Sequence, residues 1–389
     1  MSGRPPRLLF LMNDAPFYVS HRLPIGVAAR AAGFEVHVAA PADAAAERVI
    51  AAAGLRFHPI PLARGGRSPL GEARLILAIL ALVRRIAPDV MHAVTQKPVC
   101  YGGIAAHLCR VPASVFAVTG LGYLFVTAGA AVGLMRRIAL ALYRLALARR
   151  PMRAIFQNPD DRALFVERGL VDPALIRMIE GCGVDMARFA PAPEAEGPVT
   201  AMFPARLVGD KGVREFVEAA RILRAGGSEA RFVLVGRTDP ENPTDIPAAE
   251  RQSWIESGLV EWWGFAEDMP AALAQAHVVC LPSYREGLPR GLIEAAAMGL
   301  PVVATDVPGC REVVRASETG LLVPARDAKA TAEALGRLIA DRDLRRRMGA
   351  AGRAMAVAKY AVEDFVARSL AVYREVMDEA GVAWPRAMS

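Results

Sequence analysis

The chain has 389 residues, of which 53% are hydrophobic and 22% are charged, a composition typical of a globular protein with a core. This length suits two domains of about 150–200 residues better than one. The longest uninterrupted apolar run, residues 75–83, is about half of what a membrane-spanning helix needs, and residues 4–12 lack the long apolar region and cleavage site of a signal peptide.

The charge is distributed unevenly along the chain. Residues 1–150 carry 18 lysines and arginines against 6 acidic residues, whereas the rest of the chain carries 29 against 34. A basic half predicts an anionic partner. An anionic membrane surface or a phosphate-bearing acceptor fits better than nucleic acid, because the basic residues are not interleaved with aromatic ones. An arginine-rich composition that only reflects a GC-rich genome is the alternative.

The five cysteines are scattered and include no C-x-x-C pair. They are Cys100, Cys109, Cys182, Cys280 and Cys310. This pattern indicates neither a disulfide framework nor a zinc site, and it predicts a reducing compartment, the cytoplasm.

Strands and helices alternate along the first half of the chain. The run from Arg7 to Met12 predicts a buried strand, and a helix follows over residues 20–32 with Gly33 just beyond its end. Further strands are predicted over 35–40, 56–60, 89–92, 113–118, 154–157 and 176–180, and further helices over 70–86, 102–109 and 134–149. Such alternation favours a parallel sheet with helices on both faces.

Residues 190–198 contain three prolines and predict an extended linker, at which we place a domain boundary. The alternation then restarts, with strands over 200–203, 231–235, 260–263, 278–281 and 301–304, helices over 213–225, 269–275 and 292–298, and an almost wholly helical stretch over 328–381. We therefore predict two doubly wound domains, 1–190 and 199–360, and a C-terminal helix, 361–389, that packs back toward the first domain. The cleft between the two domains is then the expected active site.

The loops after the first strand of each domain differ in character. The loop from Asn13 to His21 has no G-x-G-x-x-G fingerprint, and no Walker A motif occurs, so dinucleotide and P-loop chemistry lose support. In the second domain, Arg206 and Lys211 lie five residues apart on the loop that opens the next helix, where free N–H groups and the helix dipole favour anions. An arginine fork and a lysine point charge together suit a diphosphate. A solvated surface loop is the alternative.

The strongest functional element spans residues 286–294. Glu286 lies just before a helix that begins at Pro289 or Arg290, and Glu294 lies inside this helix among apolar residues. A carboxylate in such a run is partly buried and needs partners, and sugar and ribose hydroxyls can donate to it. We expect the N–H groups of Gly287 and Leu288 to open the helix and to point at phosphate. Two surface glutamates that flank a packing helix are the alternative.

This E-x7-E element resembles the signature of the family-4 retaining glycosyltransferases of the GT-B fold, in which two Rossmann-like domains face a central cleft. The loop of Arg206 and Lys211 resembles the diphosphate-binding loop of these enzymes. Further matching segments are 181–191, 232–236 and 319–323, and segments 17–24, 95–98 and 119–125 resemble bacterial enzymes that build lipid-linked oligosaccharides and polysaccharides. The resemblance covers nearly the whole chain. It departs from the family at residues 13–20, where many relatives carry a glycine-rich loop.

The resemblance implies roles for individual residues. Arg206 and Lys211 would neutralise the leaving diphosphate, Glu286 would hold the donor sugar, and these three are the catalytic candidates. The donor-binding candidates are Glu294 at the ribose, Gly287, Leu288, Gly236, Arg237 and, at the base, Phe265. The candidates for contact with the acceptor or the donor sugar are Asn13, His21, Lys97 and Thr119.

The resemblance implies a hexosyltransferase-type enzyme that transfers a sugar from a nucleotide-diphosphate donor, with UDP as the expected nucleotide, to a polyprenyl-diphosphate-linked saccharide. The reaction would retain the anomeric configuration and would need no metal or other cofactor. We expect the protein to be peripheral on the inner face of the bacterial plasma membrane. Two alternatives remain open: a sugar-nucleotide epimerase on the same scaffold, and a non-catalytic partner in polysaccharide assembly.

Two helices of the first half bear on membrane contact. The helix over 134–149, extended to residue 150, is predicted to gather basic residues within one arc, with apolar residues away from the centre of that arc. The basic residues are Arg136, Arg137, Arg144 and Arg150, and the apolar ones are Ile138, Leu142 and Leu145. The helix over 70–86 is apolar nearly all round, which predicts a deep core helix or one that dips into a membrane. Ordinary packing against the first sheet is the alternative for both helices.

Overall fold

The computed structural model describes residues 4–63, 65, 68–120 and 130–385 of the chain. The chain forms two compact units: unit 1 consists of the chain up to Gly183 and from Glu363 onward, and unit 2 consists of Val184–Val362. The proline-containing segment 190–198, in which we expected the boundary, therefore lies within unit 2. It is held there because Glu194 pairs with Arg342 and Arg345 at 2.7 and 2.8 Å.

Unit 1 is built on seven parallel strands, as the alternation of elements predicts. The strands are β1 (Arg7–Leu11), β2 (Glu35–Ala40), β3 (Arg56–Pro59), β4 (Val90–Val94), β5 (Ala113–Val118), β6 (Met152–Phe156) and β7 (Ile176–Met178). The helices are α1 (Ala15–His21), α2 (Leu23–Ala31), α3 (Ala44–Ala52), α4 (Pro69–Ile86), α5 (Gln96–Leu108), α6 (Ala130–Ala146) and α7 (Pro159–Glu167). The sheet order is β3-β2-β1-β4-β5-β6-β7, so the direction of winding reverses between β1 and β4.

Unit 2 repeats this architecture with six parallel strands. They are β8 (Thr200–Phe203), β9 (Arg231–Leu234), β10 (Glu261–Trp262), β11 (Val278–Leu281), β12 (Val302–Thr305) and β13 (Gly320–Val323). The helices are α8 (Val213–Ala225), α9 (Ala248–Glu256), α10 (Met269–Leu273), α11 (Arg290–Ala297), α12 (Cys310–Val313), α13 (Ala328–Ala340) and α14 (Arg342–Lys359). The order β10-β9-β8-β11-β12-β13 reverses between β8 and β11, which is where a doubly wound sheet binds its ligands.

The last helix, α15 (Val362–Glu379), packs on the sheet of unit 1. Its buried side chains include Tyr373, and Arg153 on β6 pairs with its Glu375 and Glu379 at 2.8 and 2.7 Å. The two places where the chain passes between the units lie side by side. The Val184 N–H donates to the carbonyl oxygen of Tyr360 at 2.8 Å, and the Val362 N–H donates to that of Val184 at 3.0 Å.

The helix predicted over residues 20–32 is in fact two helices, α1 and α2. Helix α1 begins early because the Asp14 carboxylate accepts from the N–H of Phe17 at 2.8 Å and caps it. The chain breaks at Arg22, whose φ of −130° is not helical, and restarts with Pro24 in the first turn of α2. Proline is tolerated in the first turn of a helix, but in the interior of one continuous helix it would lose a hydrogen bond and clash with the preceding turn.

Helices α4 and α6 differ from their predicted distribution of side chains. Helix α4 is not apolar all round: it buries one face, which includes Leu75 and Ile79, and exposes Leu70 and Leu77 on the other. In α6, Arg137 and Arg144 are exposed as predicted, but Arg136 is half-buried, and the apolar Ile138 and Leu145 are exposed beside the arginines. Arg150, beyond the end of α6, pairs with Asp172 at 2.8 Å. None of the helices in the described ranges combines the length and hydropathy needed to span a bilayer.

Candidate active site

The loops that follow β8, β9 and β11 carry most of the residues that the sequence singles out. Arg206 and Lys211 follow β8, Gly236 and Arg237 follow β9, and Glu286 follows β11. These three strands are neighbours in one parallel sheet, so their carboxyl ends lie along the same edge. The fold therefore brings the five residues to the carboxyl edge of the sheet, around the reversal point of unit 2.

Lys211 and Glu286 form a direct ion pair across this edge. Lys211 Nζ donates to Glu286 Oε1 at 2.5 Å, and the two side chains are 22% and 9% exposed. The two loops are fastened together by backbone contacts, because the Asp210 carbonyl oxygen accepts from the Tyr284 N–H at 2.9 Å and from Ser283 Oγ at 3.1 Å. The ammonium and the carboxylate are thus held at a position that the backbone defines.

A glycine makes this close approach of the two loops possible. Gly212 follows the short 3-10 turn that ends at Lys211, and its φ of +75° is a conformation that favours glycine. A Cβ atom at Gly212 would lie 2.0 Å from the carbonyl oxygen of Pro282. Any other residue there would push apart the two loops that carry Lys211 and Glu286.

Arg206 is paired with Asp239, a residue that the sequence analysis missed. Arg206 Nη1 donates to Asp239 Oδ2, and the Asp239 side chain is only 5% exposed. The Asp239 N–H in turn donates to Asp245 Oδ1 at 2.8 Å, which fixes the loop after β9. The guanidinium therefore has a defined orientation before any ligand arrives. The available signal was a carboxylate three residues beyond Gly236, at the end of a predicted strand.

Gly236 follows β9 and Phe265 follows β10, so both lie on the same edge of the sheet. A Cβ atom on Gly236 would lie 1.9 Å from the carbonyl oxygen of Ala205, so the loops after β8 and β9 touch through their backbones. The Gly236 N–H donates to the carbonyl oxygen of Gly264 at 2.7 Å. Arg237 Cζ lies 3.9 Å from the centroid of the Phe265 ring, and that ring is 54% exposed. An exposed aromatic face stacked by a guanidinium can accept a planar ring such as a nucleobase.

Helix α11 begins where the sequence predicts. Pro289 is its N-cap and Arg290 its first residue, so Gly287 and Leu288 lie in the preceding loop. The N–H groups of Gly287 and Leu288 therefore precede the first turn of α11, and their contact with phosphate stays a prediction. The loop is pressed against Gly309, where a Cβ atom would lie 2.6 Å from the carbonyl oxygen of Gly287.

Glu294 is buried within α11, as its apolar neighbours in the sequence predict. Its side chain accepts a hydrogen bond from Arg290 Nε at 2.6 Å, and the residue is 8% exposed. Burial raises the pKa of the Glu294 carboxyl, and the positive charges of Arg290 and Arg188 oppose that shift. The carboxylate retains acceptor capacity beyond the one bond to Arg290.

Three of the four candidates in the first half follow neighbouring strands of unit 1. Asn13 follows β1, Lys97 lies in the first turn of α5 after β4, and Thr119 follows β5. The Asn13 Oδ1 atom is buried and has no hydrogen-bond partner in the described part of the chain. Lys97 Nζ donates to Glu72 Oε1 at 2.6 Å and to the Ala63 carbonyl oxygen at 2.9 Å.

The fourth candidate, His21, does not follow a strand end. It lies in the last turn of α1, where its ring stacks on Phe17 with the ring centroids 4.0 Å apart. Residues 121–125 of the sequence motif that begins at Thr119 lie outside the described residues. Within the described ranges, no three His, Cys, Asp or Glu side chains are grouped as a metal ion would need.

Two family models match the chain, one over each half. The model described as "Glycosyl transferase 4-like" matches residues 7–158, and the model described as "Glycosyl transferases group 1" matches residues 198–341. The chain is 27% identical over 353 residues to the N,N'-diacetylbacillosaminyl-diphospho-undecaprenol alpha-1,3-N-acetylgalactosaminyltransferase of Campylobacter jejuni, which covers 87% of this chain and 91% of that protein. It is 26% identical over 293 residues to the UDP-Gal:alpha-D-GlcNAc-diphosphoundecaprenol alpha-1,3-galactosyltransferase of Escherichia coli, with 71% and 73% covered.

Solved structures share the architecture over almost the full length. Sucrose-phosphate synthase from Thermosynechococcus elongatus superposes with a TM-score of 0.78 at 20% identity, covering 96% of this chain and 100% of that one. Alr3699/HepE from Anabaena, solved in complex with UDP, superposes with a TM-score of 0.75 at 19% identity, covering 95% and 100%. At these identities the likeness establishes a common fold.

Proposed function

Because the chain belongs to the group 1, family-4-like glycosyltransferases and has their GT-B fold, we propose that it transfers a sugar from a nucleotide-diphosphate donor to a polyprenyl-diphosphate-linked saccharide. The acceptor class is supported by the two relatives, both of which are named for undecaprenyl-diphosphate-linked sugars. UDP as the nucleotide is supported by the name of the second relative. The epimerase and the non-catalytic alternatives gain no support from these relatives.

The observation that carries the proposal is the meeting of Arg206, Lys211 and Glu286 at one sheet edge. When the bond to the nucleotide breaks, negative charge develops on the leaving diphosphate, and two oriented cations stabilise it. Arg206 is already oriented by Asp239. Lys211 exchanges its bond to Glu286 for the diphosphate, and the released carboxylate accepts from hydroxyls of the donor sugar. These cations fill the role that a divalent ion has in other transferases, so we propose that no metal is required.

The nucleoside is proposed to lie between Glu294 and the Phe265 ring. The Glu294 carboxylate accepts from ribose hydroxyls, and Phe265 with Arg237 offers a flat surface to the base. We propose that the anomeric configuration is retained, as in the enzymes that carry the same E-x7-E element. Asn13, Lys97 and Thr119 remain the candidates for contact with the acceptor or the donor sugar.

We also propose that the basic first half holds the protein on the inner face of the plasma membrane. Helix α5 packs between α4 and α6, and the three helices cover one face of the sheet of unit 1. Their outer sides form what we name the α4–α6 surface. It contains half of the large apolar side chains that are exposed in the described part of the chain: Leu70, Leu77, Leu108, Leu134, Ile138 and Leu145.

The charge of the α4–α6 surface favours anionic lipid as its partner. The same part of the chain also carries exposed arginines: Arg74, Arg84, Arg85, Arg110, Arg137 and Arg144. The three helices contain a single acidic residue, Glu72, which is half-buried and bound to Lys97 and Tyr101. Apolar side chains can enter the interface of a bilayer while arginines contact lipid phosphates, and each basic residue contributes about 1 kcal/mol at an anionic surface.

Transfer is tested with purified protein, a panel of UDP- and GDP-sugars, and a polyprenyl-diphosphate-linked saccharide, with EDTA present throughout. We expect a product heavier by one sugar, and we expect Lys211→Met and Glu286→Gln to lose it. Lys329→Met, an exposed lysine at the start of α13, is the matched control and should keep wild-type turnover. Wild-type rates in both site variants, or isomerised donor in the absence of acceptor, would contradict the proposal.

Membrane contact is tested separately by flotation with vesicles of phosphatidylglycerol or of phosphatidylcholine. We expect binding only to the anionic vesicles, and a loss of about fivefold for each of Arg137→Gln and Arg144→Gln. Arg221→Gln, an exposed arginine of unit 2, should bind as the wild type does. Equal binding by all four proteins would exclude the α4–α6 surface without affecting the proposed reaction.

A further inference from the structure

Unit 1 buries an arginine charge. Arg22, at the break between α1 and α2, is only 2% exposed. Its Nη1 donates to the carbonyl oxygen of His21 at 3.1 Å, and its Cζ lies 5.2 Å from the centroid of the Phe365 ring on α15. The Nε atom is buried and has no hydrogen-bond partner in the described ranges. Within those ranges no carboxylate pairs with Arg22.

The groups around Arg22 are neutral and do not balance its charge. His92 lies beside it, and burial together with the Arg22 charge holds the pKa of His92 well below its usual value. Tyr373 is hydrogen-bonded to His92, Nδ1 to hydroxyl oxygen at 2.5 Å, and burial raises the pKa of this phenol well above its usual value. An uncompensated charge in such surroundings is costly, usually by several kcal/mol. A negative charge next to Arg22 would therefore stabilise the folded state of unit 1.

A small cavity adjoins the guanidinium. Its volume is about 10 Å³, and Arg22, His92, Gly181, Phe365 and Ser369 contribute to its lining. A cavity this small holds a single small particle, so nucleotides do not fit. His92 also has an unpartnered buried atom, Nε2, in the described structure. When the Tyr373 hydroxyl donates to Nδ1, the proton of the neutral ring is on Nε2, which then becomes a donor.

We propose that this cavity binds one monatomic anion, with chloride as the physiological occupant, between the guanidinium of Arg22 and the imidazole of His92. The anion supplies the negative charge that the protein does not provide, and it accepts from Arg22 Nε and His92 Nε2. It links the α1–α2 junction to α15, because Phe365 and Ser369 on α15 line the same cavity. The site is independent of the proposed sugar transfer, and its role is to stabilise unit 1.

A water molecule is the competing occupant. Water can accept from the same two nitrogen atoms, but it leaves the charge of Arg22 unbalanced in an apolar surrounding that includes Ile25, Ile155 and Ile179. The Cys182 thiol is another possible source of negative charge, because it acts electrostatically on Arg22. Neither competitor makes the stability of the protein depend on which anion is in the buffer. A stability that depends on the anion in the buffer therefore distinguishes a bound anion from a water molecule and from the Cys182 thiol.

The test is thermal unfolding of the full chain in sodium chloride and in sodium gluconate at equal ionic strength. Gluconate is too large for the cavity. With chloride at about five times its dissociation constant, we expect a melting temperature about 2–4 °C higher than in gluconate. Arg22→Met should lose this difference, and Arg30→Met, which removes an exposed arginine from α2, should keep it. The same melting temperature in both salts for the wild type, or an equal difference in Arg22→Met, overturns the proposal.

Bromide provides a second measurement that does not depend on whether Arg22→Met folds. Crystals of the wild-type protein soaked in sodium bromide should show an anomalous peak in contact with Arg22 and His92. The absence of such a peak, with bromide visible elsewhere in the same crystal, overturns the proposal. Sugar transfer is measured in the same salts, and a wild type that is active in both leaves the proposed function intact whatever occupies the cavity.

Discussion

Replacing Lys211 by methionine should cost both stability and activity, and the two losses can be separated. The substitution leaves the Glu286 carboxylate, 9% exposed, without its ammonium partner. Removal of one partner from a fully buried pair costs about 3–5 kcal/mol, and because Lys211 is 22% exposed we expect less, about 2–3 kcal/mol. For a unit of this size, such a loss lowers the melting temperature by roughly 5–10 °C.

The double variant Lys211→Met/Glu286→Gln should recover most of that stability. Glutamine is uncharged, so its burial does not demand a cation. Turnover should not recover, because the diphosphate has lost a cation and the sugar has lost an acceptor. Each substitution in the site should reduce kcat by about 10²–10³-fold. A variant that is stable and inactive distinguishes a catalytic lysine from one that only supports the fold.

The assay combines thermal unfolding of the four proteins in the cycle with single-turnover transfer from the donor. The coupling energy between the two positions is the difference between the effect of the double variant and the sum of the single effects. A coupling near zero would refute the reasoning, because it would mean that the pair contributes nothing to the folded state. Recovery of turnover in the double variant would equally refute the proposed role of Lys211.

Three further predictions concern the same edge of unit 2. Asp239→Asn removes the charge that orients Arg206, and we expect kcat to fall by about tenfold or more with little change in melting temperature, whereas Asp239→Glu should recover part of it. Gly236→Ala places a Cβ atom 1.9 Å from the Ala205 carbonyl oxygen, so we expect a melting temperature lower by several degrees and weaker stabilisation by UDP in a thermal shift assay. Burial raises the pKa of Glu294 in the folded protein above its pKa in the unfolded chain. As the pH rises from the unfolded pKa to the folded pKa, the unfolded chain loses this proton first, and the wild type therefore loses stability. Glu294→Gln should therefore gain melting temperature relative to the wild type at neutral pH but not at about pH 4, and a difference that does not change with pH would contradict this assignment.

The fold could be predicted largely because parallel strands that are covered on both faces have continuous apolar sequences. The predicted strands over 113–118, 200–203 and 278–281 coincide with β5, β8 and β11. Short elements with mixed sequences were missed. Helix α9 was one of these, because polar and charged residues lie on all its sides and give no apolar periodicity.

The sequence predicted which residues belong to the site, but it did not predict which of their side chains contact each other. Strand ends and their loops identified Arg206, Lys211 and Glu286, since the carboxyl edge of a parallel sheet gathers such loops. The partner of Arg206 could not be found in this way, because Asp239 is 33 residues away and belongs to the loop of a different strand. A local sequence pattern has no information about which side chains from two separate loops approach each other.

Exposed apolar side chains could not be separated from core side chains by hydropathy. Leucine occurs on both faces of α4, so a sequence in which almost every position is apolar does not reveal which face is covered. The packing of α5 against α4 determines which face of α4 is covered, and this packing is a tertiary contact. The exposed positions, Leu70 and Leu77, became visible only when the covered face was known.

The adjacent passages of the chain at Val184 and Val362 make unit 2 an insertion into unit 1. Backbone hydrogen bonds join its two ends, so the segment Val184–Val362 begins and ends at the same place in the structure. We call this segment a cassette. We therefore expect that unit 2 can be excised and expressed alone, and that unit 1 can be closed by a short linker from Gly183 to Glu363. The core of unit 1 requires α15, so a simple truncation after Val362 would uncover that core. Exchange of complete cassettes between relatives would therefore transfer the proposed donor specificity while leaving the rest of the protein continuous.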